Sequence, residues 1–390
     1  MKRGLTGTYE TICTLGGETC RAFIPNPLPP TPPLDMGSAI RDIYERALLA
    51  IGGLVNLNII LPDTNSFIYN YVRKEAVLSS QIEGTQSSLD ELLLYESSEA
   101  PGVPTDDVQE FINYIRAFSH GIKRLREDNF PLSLRLIREI HHELCARGRG
   151  SEKDPGEFRR SQNWIGGARP GNAVFVPPPP GKVTSLMGDL ESFLHNRPAP
   201  TSALIKAALA HVQFETIHPF LDGNGRLGRL LITLILVHEK ILAEPVLYLS
   251  LYFKAHRSDY YDLLQAVRKE GNWEEWVEFF LKGVRETSEQ AVYTARRLVD
   301  LFERDREKIR REIGRSSLSA LAVHYELQKE PIVSIHTVME RAGLSKPTVY
   351  SALKKLSDIG MVTEVRTRGK RAFGYDEYRR ILSEGTEPIK

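Results

Sequence analysis

The chain has 390 residues, 41% hydrophobic and 26% charged, with a formal net charge of +1. That length suits two or three domains, and the balance excludes a global electrostatic pull toward nucleic acid or membrane, so any basic patch is local. Three scattered cysteines, Cys13, Cys20 and Cys145, exclude a disulfide framework.

The N-terminus lacks an apolar stretch of signal-peptide length. The longest apolar run, Leu230 to Val237, is interrupted by Thr233 and falls far short of the roughly 20 residues that span a bilayer. These features predict a cytoplasmic protein without membrane partners.

Residues 1–37 show little periodicity, and prolines 25, 27, 29, 30, 32 and 33 predict an extended arm laid over a domain. Helical spacing begins near Ile40, breaks at Pro62, and continues through Phe67, Tyr71 and Leu78. Ser88-Leu-Asp-Glu91 is a capping box. Amphipathic stripes follow at Val108, Phe111, Ile112, Ile115 and Phe118, then at Leu134, Ile137, Ile140 and Leu144.

Residues 147–180 are rich in Gly and Pro. Two short extended pieces there, Asn163 to Ile165 and Ala173 to Val176, predict a hairpin-like flap. Helices resume at Val183 and run with interruptions to about residue 313, where 286–313 reads as a long charged connecting helix.

After residue 316 the pattern is helix, tight turn, helix, with Ser345 as N-cap and Pro347 in the first turn. Met361 to Val365, a basic turn (Arg366 to Arg371) and Ala372 to Tyr375 then form a hairpin, which is a winged-helix layout. Residues 345–375 hold seven basic side chains (Lys346, Lys354, Lys355, Arg366, Arg368, Lys370, Arg371) against two acidic ones (Asp358, Glu364). DNA binding through 316–390 and protein interaction both fit that module.

The chemistry concentrates in His218-Pro219-Phe220-Leu221-Asp222-Gly223-Asn224-Gly225-Arg226-Leu227-Gly228-Arg229. Pro219 disfavours helix at His218, which therefore ends one helix and stands in a loop. The loop feeds a second helix, apolar on nearly every face, whose free N–H groups and positive dipole end favour phosphate. Gly223 and Gly225 permit close backbone approach. Arg226 and Arg229, three apart, are suited to a polyphosphate. Asp222 offers a hard oxygen for Mg²⁺, and His218, with a reference pKa of about 6.5, can accept a proton near neutrality.

These twelve residues resemble the signature of the Fic family, His-x-Phe-x-Asp/Glu-Gly-Asn-Gly-Arg-x-x-Arg, with every specified position filled. The resemblance implies a mainly all-α fold: a helical core with a small β-hairpin flap, followed here by the winged-helix domain. It also implies transfer of AMP from ATP to Ser, Thr or Tyr hydroxyls of target proteins and of the chain itself. His218 would be the general base and Asp222 the Mg²⁺ ligand. Gly223, Asn224, Gly225, Arg226, Leu227, Gly228 and Arg229 would hold the phosphates. Asn172, Ala173, Val174 and Phe175 resemble the flap that aligns a target segment by strand addition. Tyr260 and Tyr261 match adenosine-side contacts more loosely, and ordinary helix packing explains them equally well.

Ser79-Ser80-Gln81-Ile82-Glu83-Gly84 resembles the family's inhibitory motif, Ser/Thr-x-x-x-Glu-Gly/Asn, on a helix of about 66–84. The implied brake is a Glu83 carboxylate paired with Arg229, taking the guanidinium that should grip the γ-phosphate. Ser79 would support it.

The expected organisation is an N-terminal arm and inhibitory region (1–105), a catalytic core (106–285), a connecting helix (286–315) and the winged helix (316–390). A homodimer is compatible with this layout. The alternative is a nucleotide-sensing, DNA-binding transcription regulator, although a sensor would not need His218. Transfer of another nucleotide, or removal of AMP at the same site, would use the same residues.

Overall fold

The computed structural model describes residues 3–13, 17–57, 61, 63–98, 105–314, 317–367 and 370–389. Pro62 and the tip of the basic turn, Arg368 and Gly369, lie outside the described residues. The chain divides into two compact units, 1–51 with 112–287, and 52–111 with 288–390.

In the first unit the arm expected over residues 1–37 opens with strand pairing that its sequence does not signal. Strands β1 (Gly7–Cys13) and β2 (Thr19–Pro25) form an antiparallel hairpin with Gly7 opposite Pro25 and Cys13 opposite Thr19. The strands carry no clean polar–apolar alternation because cross-strand pairing and a small cluster fix them. Cys20, Ala22 and Val176 pack together, with Ile12 and Ala173 against them.

Helices α1 (Ser38–Val55), α2 (Thr64–Ile82), α3 (Leu89–Ser98), α4 (Thr105–Arg126) and α5 (Leu134–Leu144) follow in chain order. The capping box before α3 forms: Ser88 N–H donates to Glu91 Oε2 at 2.6 Å. After α5 come α6 (Pro180–Leu194), α7 (Ala203–Ile217) and α8 (Asn224–His238). Next are α9 (Ser250–Ala255), α10 (Arg257–Glu270) and α11 (Trp273–Ile313). The long charged helix expected over 286–313 thus starts thirteen residues earlier, because Trp273, Trp276, Val277, Phe280 and Leu281 form a buried apolar stripe ahead of the charged part.

Helices α7 and α8 make the core of the first unit. Residues Leu204 to Ile217 are buried on every face, and α8 is buried from Asn224 to Val237 except at Gly225. Their close approach depends on Gly228, where a Cβ would lie 2.3 Å from Glu215 Oε1. His211, Phe253, Tyr260, Trp276 and Phe279 stack beside α7. Each such ring buries apolar area that contributes on the order of 2 kcal/mol.

In the second unit, α2 is the core helix, buried at Phe67 and from Asn70 to Ile82. Two of its buried amide side chains are held by partners from the C-terminal part of the same unit. Asn70 Nδ2 donates to Tyr378 Oη at 3.1 Å, and Gln81 Nε2 donates to the carbonyls of Ser87 and Thr386, both at 2.8 Å. This unit also holds α3, the part of α11 from residue 288 onward, α12 (Ser317–Lys329), β3 (Ile332–Ser334), α13 (Ile335–Ala342), α14 (Lys346–Asp358), β4 (Val362–Thr367), β5 (Lys370–Tyr375) and α15 (Asp376–Ser383).

The expected helix, turn, helix and hairpin are all present there, and the sheet order is β3-β5-β4. Gly343 ends α13 at φ 64°, where glycine avoids the left-handed penalty. A buried chain of hydrogen bonds lies beneath, with Tyr375 Oη donating to Asp305 Oδ2 at 2.7 Å and sitting 3.2 Å from His324 Nε2. No helix among the described residues is long and apolar enough to cross a membrane.

Candidate active site

The loop between α7 and α8 begins where sequence predicted a break. His218 caps α7 in the left-handed region, φ 49° and ψ 62°, and Gly223 is the N-cap of α8 at φ 75°. A non-glycine residue held there costs about 1–2 kcal/mol, so its surroundings must compensate. The imidazole of His218 is one-fifth exposed, with Nδ1 3.9 Å from Glu215 Oε2. Ring and solvent are therefore in reach of each other.

Asn224 closes the loop on itself. Its Oδ1 accepts from the Phe220 N–H at 2.9 Å and its Nδ2 donates to the Phe220 carbonyl at 2.8 Å. The Asn224 side chain is thereby turned inward, so its share of any anion cradle is its backbone N–H.

Gly223 carries no capping side chain, which leaves the first-turn amides of α8 directed at the loop. Arg226 and Arg229 rise from that turn, 2% and 3% exposed. Two buried guanidinium groups beside a helix N-terminus make a corner whose chemistry suits an anion. Asp222 lies at its rim: Oδ1 accepts the Gly223 N–H at 2.6 Å and stands 3.7 Å from Arg226. Leu227 and Gly228 are buried and serve the packing of α8.

Several supporting residues had no signal in the motif. His141 of α5 accepts the Gly156 N–H at Nδ1 (2.8 Å), which leaves Nε2–H to donate to the Asp222 carbonyl at 2.9 Å. Its ring stacks on Phe220 at 3.7 Å, and burial pushes its pKa down to about 4. His211 is also neutral, its pKa lowered to about 3 by burial. Its Nδ1–H donates to the Gly228 carbonyl at 3.0 Å, and Nε2 is 2.9 Å from Tyr260 Oη.

Arg159 is 3% exposed, and burial lowers its pKa to about 10. Arg268, similarly lowered, donates to Thr216 Oγ1 at 3.1 Å and to the Glu215 carbonyl at 3.2 Å, and lies over the Phe175 ring. A single histidine or arginine carries no distinctive pattern in sequence, so only the fold reveals these roles.

The flap expected at 163–176 is a single antiparallel bridge, Ile165 to Phe175, around a 3₁₀ turn at Pro170–Asn172. Ala173 packs on the N-terminal hairpin, Val174 is 65% exposed, and Phe175 is buried. Phe23 N–H of β2 donates to the Val176 carbonyl at 2.9 Å, so the hairpin braces this limb. Tyr260 is buried in the aromatic cluster, whereas Tyr261 is 38% exposed. In the second unit, Ser79 is buried in α2, and Glu83 is the exposed C-cap of that helix, followed by Gly84 at φ 105°.

Residues 42–123 match the Fic/DOC family N-terminal profile, and residues 131–236 match the Fic/DOC family profile. This chain carries a Fic domain. The motif from His218 to Arg229 lies inside the second match, and α2 inside the first. The chain is 35% identical over 225 residues to protein adenylyltransferase Fic of Aedes aegypti, covering 56% of this chain and 42% of that one. It is 32% identical over 201 residues to the protein of the same name from Culex quinquefasciatus, covering 51% and 37%. The chain thus spans about two-fifths of the length of these curated relatives. A crystal structure of a Fic family protein from Desulfovibrio desulfuricans G20 superposes with a TM-score of 0.58 at 22% identity, covering 88% of this chain and 97% of that one. At that identity the likeness establishes the fold.

Proposed function

We propose that this chain transfers AMP from ATP to hydroxyl groups of proteins, itself included. The observation that carries the reading is the loop at His218. A partly exposed imidazole stands beside a helix N-terminus flanked by two buried arginines. The shared name of the curated relatives supports the same reaction.

In this reading His218 takes the proton of a Ser, Thr or Tyr hydroxyl as its oxygen attacks the α-phosphorus. The new P–O bond forms as the bond to the β-phosphate's bridging oxygen breaks, and pyrophosphate leaves with that electron pair. The amides of α8 and the Arg226 and Arg229 guanidinium groups hold the outer phosphates and stabilise the departing charge. Asp222 would hold Mg²⁺. Its carboxylate is 28% exposed and uses Oδ1 for the Gly223 N–H, which fits an ion bound through one carboxylate plus phosphate oxygens. Such an ion neutralises phosphate charge. The exposed Val174 edge would receive the target segment, and of the two tyrosines Tyr261 is the one exposed enough to meet adenosine.

A brake belongs to the proposal. Glu83, exposed at the end of α2 and inside the Ser79 to Gly84 motif, would pair with Arg229 and keep ATP in a nonproductive pose.

A second reading concerns the C-terminal elements as a winged helix on DNA. Lys346, Tyr350 and Lys354 are all exposed and fall four apart on α14, one face suited to phosphates and bases.

The test is isotopic. ATP labelled at the α-phosphate should label protein hydroxyls, whereas γ-labelled ATP should release its label as pyrophosphate. Retention of γ-label instead would make the site a kinase and overturn the proposal.

A further inference from the structure

The carbonyl oxygens of residues 217 to 220 are all held, and all from one short segment. Arg159 donates through Nε to the His218 carbonyl at 2.9 Å and through Nη2 to the Ile217 carbonyl at 3.3 Å. The Arg159 backbone N–H donates to the Pro219 carbonyl at 2.9 Å. Asn163 Nδ2 donates to the Phe220 carbonyl at 3.0 Å and to the His218 carbonyl at 3.3 Å. The remaining Arg159 donors go to the carbonyls of Pro178 (2.6 Å) and Ser161 (3.3 Å). A buried guanidinium spent on backbone carbonyls is an expensive way to hold a chain. The expense suits a place where backbone position matters.

What these bonds hold is the strained left-handed residue, His218. What they hold it to is the flap. Asn163 is two residues before Ile165, whose N–H donates to the Phe175 carbonyl at 2.9 Å. Pro178, also gripped by Arg159, follows the other limb by three residues. One limb of the flap is therefore tied by the Asn163 amide, and the other by the Arg159 guanidinium, to the loop that carries the base.

We propose that Arg159 and Asn163 are positioning residues that fix the distance between the flap and the His218 imidazole. This rests on the reading of the site as an AMP transferase that receives its target at the flap. The pair contributes nothing to nucleotide binding, which belongs to the α8 end of the loop. It sets where a hydroxyl presented along the flap meets the base, a placement on which turnover depends steeply.

The test uses the full chain with Asn163→Asp, Asn163→Ala, Arg159→Lys and Arg159→Met. Asn163→Asp keeps the shape but removes both donors. It should lower the turnover of α-label transfer about tenfold or more, with the KM and Kd for ATP within about twofold and the thermal midpoint near wild type. Arg159→Lys should recover part of the turnover lost in Arg159→Met. The His218 ring signals in histidine-labelled protein should shift in each variant, while those of His211 stay fixed. Unchanged turnover and unchanged His218 signals in Asn163→Asp would overturn the proposal. So would a turnover loss matched by equal losses of ATP affinity and thermal stability. If the wild-type chain transfers no label, the AMP reading fails by itself, and the His218 signals still decide the positioning role.

Discussion

His141 and Asp222 are joined by a hydrogen bond from an imidazole Nε2–H to a backbone carbonyl, 2.9 Å long, across 81 residues of sequence. The bond places the carbonyl of the acidic residue inward and leaves its carboxylate at the rim of the anion corner. It exists because Gly156 N–H occupies the other ring nitrogen and fixes the tautomer. Replacing His141 by alanine orphans both partners and removes a ring stacked on Phe220. A loss of about 3 kcal/mol in chemical denaturation is expected, with weaker phosphate binding. A variant as stable as wild type would show that the loop holds its own shape.

Acid sensitivity follows from the same histidine. His141 and His211 titrate near 4 and 3 in the folded first unit, and His324 near 4 in the second, against about 6.5 unfolded. Folded values below unfolded ones mean that the unfolded chain binds more protons between pH about 6.5 and 4. Stability is therefore full above pH 6.5 and falls as pH drops through that window, by at most about 1.4 kcal/mol per pH unit for each histidine. Denaturation midpoints at pH 7.5, 6 and 5 check this. A midpoint that rises on acidification would contradict it.

Gly223 is needed for conformation and for space. At φ 75°, an added Cβ would also lie 2.9 Å from Cys145 Sγ. Gly223→Ala should cost about 2 kcal/mol and reduce nucleotide affinity, measured by melting and calorimetry. Combining it with Cys145→Gly should recover only the steric part.

Much of this site was legible because chemistry and chain geometry coincide within twelve residues. Pro219 marked the end of α7, the glycines marked the turn, and the apolar run after Arg229 marked a buried helix. The capping box at Ser88 and the helix-turn-helix after residue 330 were readable for the same reason, since local rules decide them. The N-terminal hairpin was not, because its strands are stabilised by pairing and by packing on Val176, a contact far away in sequence. Arg159, Asn163 and His141 were equally silent. Each acts on backbone carbonyls, and a carbonyl leaves no mark in sequence. The extension of α11 back to Trp273 was hidden by its charged second half, which dominates the composition of the segment.

The DNA reading of the C-terminal elements is best tested on the exposed face of α14. Deleting residues 316–390 would also remove Tyr378 and Thr386, partners of Asn70 and Gln81 in the core helix of that unit. Lys346→Glu with Lys354→Glu leaves that core intact. The double variant should lose salt-sensitive retention on duplex DNA while α-label transfer persists. Retention equal to wild type would refute DNA binding by this face.

The proposed brake makes a paired prediction. Glu83→Gly should raise self-modification several-fold, and Arg229→Ala should lower it. The double variant should resemble Arg229→Ala, because releasing an absent arginine changes nothing. Unchanged label incorporation in Glu83→Gly would make Glu83 an ordinary surface carboxylate.

The central claim is that the His218 imidazole drives AMP transfer, and one comparison tests it most directly. Wild-type and His218→Ala protein, matched for thermal midpoint and ATP affinity, are incubated with α-labelled ATP, Mg²⁺ and cell lysate, and protein-bound label is counted. The account predicts label in the wild-type reaction and a loss of at least about a hundredfold in the variant. Incorporation by His218→Ala within a few-fold of wild type would contradict it.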